Sequence, residues 1–515
     1  MTQLIRTNLL NPIGYRLVIP LLFFLSNVQA KDYNILDFGA KSGEKATSAI
    51  QKAIDHCHAH GGGRVLVPAG KFITGTLVLK SHVVLHLEPG AVLQASHDIT
   101  DYLRTFRLHG MVFAEDATDI GITGTGTINA QGTTFYDPTG NHTYEEFDRQ
   151  LTRQKEKYMP EGEFYTDGPI KRLPKPGMTI SFFHCSNILM RDFQLLDTPS
   201  WAIRLGYCEE GHIDGIKIFN NLMVPNSDGI HMTASRNMRI ANCHIRAGDD
   251  AIIVTGFAIE EDVPDFDPKV QEAHEHGNKS IYSENIMVTH CQLQSRSSAI
   301  RIGYGQHPIR RIIFTNIQIY GSNRGIGIFA HDKSHIEDLI FSNITIETRL
   351  HNGQWWGNGE PVHLSAVSRF EDIPAGSIKN VQFRNIIMEG EHGIVAFGLP
   401  SSPLENISFK DVVLHIKKGK ETMAYGGNFD FRPVADLGLR LFQHDIPGLY
   451  AQYTHGLTLD DFRLSWDEDL PDFFTHGVWC KSVSNLILDK TDSPANPNSS
   501  TSQAVYLEGS SFKPE

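Results

Sequence analysis

The chain of 515 residues carries 46 Lys+Arg against 59 Asp+Glu, a formal charge of -13, 40% hydrophobic and 20% charged residues, 45 Gly and 6 Cys. That balance excludes a disordered scaffold and a transporter, and the lack of a Lys/Arg-rich block speaks against a nucleic-acid binder, which must neutralise phosphates. Length alone suggests about three domains at roughly 150 residues each, a prior that repeat folds break.

Residues 1–30 read as a secretory signal peptide. Arg6 and Arg16 precede the short apolar run Leu17 to Leu25, and Val28-Gln29-Ala30 offers small residues for cleavage. Its removal takes away two Arg and no acid, so -13 becomes -15 for residues 31–515. The expected location is periplasmic or extracellular. Six Cys in so long a chain do not make a disulfide framework.

The spacing of Ile50, Ala53, Ile54 and Cys57 predicts one amphipathic helix over about 47–60, ended by Gly61-Gly62-Gly63. It is the expected cap of a solenoid's open end. His56, His58 and His60 alternate in sequence, so they point to different sides of the helix and read as surface histidines, not metal ligands. Residues 133–177, with Tyr136, Tyr144, Phe147, Tyr158 and Tyr165 among charges, read as an excursion that walls a cleft.

Beyond the Gly triplet the chain is a succession of short β-rich runs. An apolar residue, two small or polar residues and a second apolar residue or Cys recur, as in Ile240-Ala-Asn-Cys243, Val288-Thr-His-Cys291, Phe314-Thr-Asn-Ile317, Phe341-Ser-Asn-Ile344, Phe383-Arg-Asn-Ile386 and Phe409-Lys-Asp-Val412. With looser copies from Met190 and Ile213, the starts are 23, 27, 48, 26, 27, 42 and 26 residues apart. A unit of about 23 to 27 residues with two insertions explains the series. Leucine-rich repeats need Leu at the repeated positions and a helix between them, and neither is present. Stacked three-sided β-coils, rising about 4.8 Å per coil, fit better. The expectation is an all-β chain: one single-stranded right-handed parallel β-helix over 31–515 with an N-terminal capping α-helix. Cys243 and Cys291 then stack as core thiols, and Asn242, Asn316, Asn343 and Asn385 suit either an inward amide ladder or plain turns.

Two acidic segments stand apart from solvated surface: Asn226-Ser227-Asp228-Gly229-Ile230-His231 and Gly248-Asp249-Asp250-Ala251-Ile252. The 21 residues from Asp228 to Asp249 approximate one coil, which stacks the two acids. Adjacent Asp249 and Asp250 reach the same cleft only across a turn or bulge. Three converging carboxyls raise the pKa of at least one, and a protonated acid beside ionised ones is what glycosidic hydrolysis requires. Single Asp residues here would read as turn formers bonding their own backbone. His231, three residues after Asp228, is a candidate to tune it.

At these motifs the chain resembles glycoside hydrolase family 28, the polygalacturonase-like enzymes built on the pectate-lyase-like β-helix. The resemblance runs from Phe38-Gly39-Ala40 through Gly90-Ala91-Val92-Leu93, Gly124-Thr125-Gly126-Thr127-Ile128, the Asn226-Ser227-Asp228 segment and Gly248-Asp249-Asp250. It implies an inverting hydrolase of a pectin-related, galacturonide-like plant or algal glycan, with Asp249 as general acid, Asp228 and Asp250 activating water and Asn226 holding the site. Inverting pairs stand about 6.5 to 9.5 Å apart, whereas stacked coils give about 5 Å. The Gly-His-Gly motif expected one coil on aligns with Ser297-Ser298-Ala299, and the Arg-Ile-Lys motif with Gly327-Ile328-Phe329, so the sugar-reading residues have changed. Arg301 is the nominated replacement for the anion grip, with a solvated basic residue as the equal alternative, and Arg324, His331 and Lys333 are further nominations that read first as solvated basic residues.

The long steps place loops at 256–280 (Glu260, Glu261, Asp262, Asp265, Asp267, His274 and His276) and 349–376. Trp355 and Trp356, beside Gly357, read as a sugar platform. The Asp430 to Pro433 segment reads as an internally paired turn around Arg432. The expected partner is a polysaccharide or oligosaccharide, with no cofactor, metal ion, nucleic acid or membrane span and a monomeric state. A polysaccharide lyase, which needs calcium or a basic residue, and a non-catalytic glycan-binding β-helix are the competing readings.

Overall fold

The computed structural model describes residues 31–105, 108–137, 171–257, 282–351 and 355–514. The expected signal segment, the centre of the 133–177 excursion with Tyr144, Phe147, Tyr158 and Tyr165, and nearly all of the acidic 256–280 loop lie outside the described residues.

Regular alternation of buried and outward residues over short β-rich runs produces a right-handed parallel β-helix with three faces. Along the first face run Gly63–Val67, Val83–Leu87, Thr118–Gly124, Ser186–Arg191, Glu209–Asp214, Arg236–Ala241 and Ser283–Thr289, each pairing in parallel with the next. The second face carries the shorter Gly70–Thr74, Ala91–Ala95, Thr127–Asn129, Gln194–Leu196, Lys217–Phe219, His244–Ala247 and Gln292–Ser295. From Ile309–Ser322 onward these two faces merge into single long strands bent at a left-handed residue such as Asn316. The third face is a separate sheet of 13 described strands, from Leu77–Val78 to Val505–Glu508.

Register makes the core. On the third face Val112, Ile180, Ile203, Ile230, Ile252, Ile300, Ile326 and Val362 pair in succession, and all are buried. On the merged faces Phe314, Phe341, Phe383 and Phe409 stack with centroids 5.5, 5.0 and 4.7 Å apart. Each Phe opens one copy of the recurring motif. Cys243 and Cys291 are buried free thiols on adjacent coils, and Cys185 and Cys208 repeat the arrangement.

The amide ladder exists but faces outward, not inward. Asn242, Asn316, Asn343 and Asn385 are exposed and take positive φ at the corner between the first and second faces. Asn343 donates to Asn316 at 3.1 Å and Asn385 to Asn343 at 2.9 Å. Asn tolerates that left-handed bend better than most residues, and the bend sends its side chain to solvent. The buried backbone is satisfied by the neighbouring coils instead.

The helix forms at Thr47–Ala59 and buries Ile50, Ala53, Ile54 and Cys57, the face read from the sequence. Its Gln51 amide does more than pack. Oε1 accepts from the Val78 N–H at 2.8 Å and Nε2 donates to the Val78 carbonyl at 3.0 Å, so Gln51 completes the pairing of the first described third-face strand. After the helix, Gly62 has φ +93°, and a Cβ there would sit 2.3 Å from the His82 carbonyl oxygen. The three histidines do not all point to different sides as expected: His56 and His60, four residues apart, share one side of the helix and stack at 3.9 Å, and His58 turns to the Ser81 carbonyl.

A second apolar core lies outside the coils. Val395, Phe397 and Tyr450 project outward from the third face and are covered by Val367, Phe429, Phe431 and Val434, the last three from the excursion after residue 421. The short strands Asn428–Asp430 and Leu441–Gln443 pair antiparallel within it.

If the Phe stack carries the merged faces, Phe383→Ala costs about 3 to 5 kcal/mol in urea unfolding, whereas Asn385→Ala at the exposed corner costs about 1 kcal/mol. Equal losses would contradict that division.

Candidate active site

The acids gather where third-face strands begin. Ile230–Thr233 and Ile252–Gly256 pair with Ile230 opposite Ile252, and the Gly229 N–H donates to the Asp250 carbonyl at 2.9 Å. Asp228 is therefore in register with Asp250, 22 residues on, and not with Asp249 as the 21-residue spacing suggests. Ser298 and Arg324 continue the same row.

Asp249 shares the site because Gly248-Asp249-Asp250 is a turn, not strand. Ser227 Oγ accepts from the Gly248 N–H at 3.0 Å and donates to the Val224 carbonyl at 2.7 Å. A Cβ on Gly248 would lie 2.2 Å from that carbonyl oxygen, so the two turns meet backbone to backbone. Asn226, with φ +53°, donates its N–H and its Nδ2 to Asp249 Oδ2 at 3.3 and 3.4 Å. Tyr136, from the first excursion, is buried and donates to the Pro199 and Pro225 carbonyls, fixing the segment that leads into Asn226.

The three carboxyls differ in surroundings. Asp250 is 4% exposed, accepts from the Ser298 N–H at 2.7 Å and forms an ion pair with Arg301 Nε. Asp228 is 2% exposed; its Oδ2 lies 3.5 Å from His231 Nδ1, and its Oδ1 has no hydrogen-bond partner. Asp249 is half-buried, the most open of the three. Burial first and the Asp250 charge second push the Asp249 carboxyl up to about 7. Burial, then the charges of Asp249 and Asp250, push Asp228 well above the usual range. One paired carboxylate beside two acids whose pKa values are raised is an acid/base arrangement.

Arg301 occupies the strand position of His231 two coils on, 7% exposed, with its guanidinium 4.6 Å over the Tyr304 ring and Nη1 without a partner. The other nominated cations lie away from the carboxyls. Arg324 is buried against Glu360 at 3.3 Å and over the Phe329 ring; His331 is buried against Ser365; Lys333 is exposed. Although burial alone would raise it, Arg324 and then His363 hold Glu360 well below the usual range. His231 is 0% exposed under the Trp201 ring at 3.8 Å, so a sugar has no surface of it to touch.

The tryptophan pair is not an open platform. Trp355 is 4% exposed, its carbonyl held by Arg432 at 3.0 Å, and Trp356 is half-buried with its carbonyl held by Asn323 at 2.7 Å. Arg432 pairs with Asp430 through two bonds of 2.9 and 2.7 Å, and Asp430 also accepts from the Gly357 N–H. This buried network replaces the flexible loop that Gly, Asn and Gln around the pair suggest.

Sequence reading passed over Trp201, Arg204, Ser298 and Tyr304. Arg204 had a usable signal, because it pairs directly with His231 in the row that leads to Arg301. Trp201 precedes its strand and Tyr304 lies near the end of Ser298–Gly305, and neither has a coil-periodic signature.

Comparison with known proteins agrees with this geometry. The family described as "Glycosyl hydrolases family 28" matches residues 57–346. A "Probable polygalacturonase" of Vitis vinifera is 24% identical over 412 residues, 75% of each chain. An "Exo-poly-alpha-D-galacturonosidase" of Dickeya chrysanthemi is 45% identical over 84 residues, 16% of this chain and 14% of that one. In architecture, a family 28 exopolygalacturonase of Yersinia enterocolitica superposes with a TM-score of 0.61 at 17% identity, over 90% of this chain and 79% of the other.

The Asp249 environment has a stability consequence. A carboxyl titrating near 7 when folded and near 3.9 when unfolded stabilises the fold below pH 4, and that contribution is lost as pH rises to 7. Asp249→Asn removes the loss. Its Tm advantage over the parent chain should grow from pH 4 to pH 7 and then level off; a pH-independent difference would contradict the raised pKa.

Proposed function

Because the chain belongs to the glycosyl hydrolases of family 28, we propose that it is an exported hydrolase of a pectin-related, galacturonide-like glycan, acting from a chain end with inversion. The observation that carries this reading is the contrast among the three acids: Asp250 fixed by Arg301 and Ser298, Asp228 enclosed with a bare Oδ1, and Asp249 open and titrating near 7.

Asp249 gives its proton to the glycosidic oxygen as that bond breaks. A water attacks the anomeric carbon from the opposite side and passes its proton to the Asp250 carboxylate, while Asp228 orients it. Hydrogen-bond demand supports this water position, since Asp228 Oδ1 and Arg301 Nη1 are buried atoms that lack partners among the described residues. Arg301 is the cation for a uronate carboxylate, and Asn226 fixes the acid that faces the sugar.

Chain-end action rests on the second apolar core. It covers the outward side of Ile394–Phe397 and Leu449–Gln452, three and four coils beyond Arg301, so a polymer cannot lie along the whole third face. The names of the Dickeya and Yersinia relatives point the same way.

With polygalacturonate, the expected products are monomers or dimers, released with little early fall in viscosity and first formed with the anomer opposite to the substrate's. Rapid loss of viscosity contradicts chain-end action, and an unsaturated product absorbing in the ultraviolet contradicts hydrolysis. Asp249→Asn and Asp228→Asn should each lower kcat by roughly 10²- to 10⁴-fold while glycan binding persists. Turnover at the parent rate in both would end the catalytic assignment.

A further inference from the structure

The tryptophan that stands at the acids is Trp201, not the pair at 355 and 356. It lies two residues before the strand Ile203–Gly206. The Ala202 N–H donates to the Asp228 carbonyl at 2.8 Å and Ile203 pairs with Ile230, so Trp201 occupies the row of Asp228 and Asp250 one coil earlier. Its indole lies on the His231 imidazole with centroids 3.8 Å apart and an interplanar angle of 25°, and the Arg204 guanidinium carbon is 5.4 Å from the ring centroid. His231 and Arg204 are in-register neighbours on the outward side of the third face, and both are fully enclosed, whereas Trp201 is only half-buried. A ring lying over both has them on one side. What the indole shows to solvent is therefore its other face and its rim.

We propose that this outer indole face is the platform for a sugar ring of the substrate, in a subsite on the N-terminal side of the carboxyls. Its position identifies which part of the glycan it meets. The second apolar core closes the third face on the C-terminal side, over Ile394–Phe397 and Leu449–Gln452, so glycan beyond the cleaved bond leaves across earlier coils, and Trp201 is the next side chain of the acid row in that direction. Chemistry identifies how the ring is held. A galactose-configured sugar turns its axial hydroxyl to one side and leaves a patch of C–H on the other, and that patch suits the negative face of an indole set beside the carboxyls. The plate is also preorganised, because the imidazole stacked against it and the guanidinium beside it fix its plane before the glycan arrives. Arg301, one coil after Asp250, and Trp201, one coil before Asp228, thus hold the substrate from both sides of the carboxyls, three coils apart. The cation reads the charge of the sugar at the chain end, and the indole carries the ring on the polymer side.

This inference rests on the chain-end hydrolytic reading above, and reading binding and turnover separately keeps the two distinguishable. Tryptophan fluorescence and calorimetry follow the titration of Asp249→Asn with a galacturonate trimer, beside the same chain carrying Trp201→Phe or Trp201→Leu. A saturable fluorescence change is expected in Asp249→Asn and should be absent from both double variants. Binding should weaken roughly 3- to 10-fold with Leu, which has no ring, and less with Phe, which keeps a smaller one. In the otherwise unaltered chain, Trp201→Leu should raise KM by the same factor with kcat within about twofold, the pattern of lost sugar contact. If the Leu variants do not fold, Phe keeps the test, since its loss of the fluorescence change does not depend on them. Calorimetric binding with no change of fluorescence in Asp249→Asn would overturn the platform, and so would parent-like KM in Trp201→Leu. A fall in kcat at constant KM would overturn it too, because the ring would then serve only to cover His231. A fluorescence change on binding without turnover by the parent chain would uphold the platform and end the hydrolytic reading, and neither binding nor turnover would end both.

Discussion

Parallel register between successive coils is the constraint on which the rest of this molecule depends. Because each strand lies about 4.8 Å from its counterpart on the next coil, a side chain's neighbours are fixed by its place in the coil. The same rule that stacks Phe314, Phe341, Phe383 and Phe409 in the core stacks Asp228 on Asp250 at the edge of the third face. Like charges so placed repel, and the fold accommodates them unequally. Arg301 and the Ser298 N–H stabilise one as a carboxylate, while burial and the resulting charge raise the pKa of the other two. An asymmetric acid cluster follows from a repetitive scaffold.

Crowding acid groups works against stability, and the surroundings show how that cost is contained. The turns that carry them are held by backbone contacts too close for a Cβ at Gly248, by the Ser227 hydroxyl and by Tyr136 bonded to two carbonyls. Further along the face, Arg324 pairs with Glu360 and donates to the Asp430 carbonyl, and Arg432 pairs with the Asp430 carboxylate and donates to the Trp355 carbonyl, which fixes the Trp355-Trp356 segment. Buried ionic networks of this sort contribute little net stability, but they specify one arrangement of a loop that sequence alone would leave open. Rigid walls around a preorganised site suit a hydrolase that binds a defined chain end.

Most of the fold was legible because a solenoid writes its geometry into sequence as a period. The recurring motif gave the coil, the helix at the N-terminus showed its apolar face, and the acid segments fell at coil spacing. What escaped was anything set by one residue of register or by contacts distant in sequence. A separation of 21 against 22 residues decides whether Asp228 stacks on Asp249 or Asp250, and insertions within a coil blur that difference. The Asn positions were legible as either a ladder or plain turns, and the side they face depends on a left-handed φ that composition does not reveal. Trp355 reads as exposed among Gly and Asn because its cover, Asp430 to Arg432, arrives some 75 residues later. The second apolar core is hidden for the same reason.

The claim most exposed to refutation is that one carboxyl of this cluster holds its proton near neutrality. Carboxyl ¹³C resonances of aspartate-labelled protein, followed from pH 4 to pH 9 in the parent chain and in Asp249→Asn, test it directly. The account requires a resonance titrating at about 7 that disappears in the variant. Aspartates that all titrate below about pH 5 would contradict it.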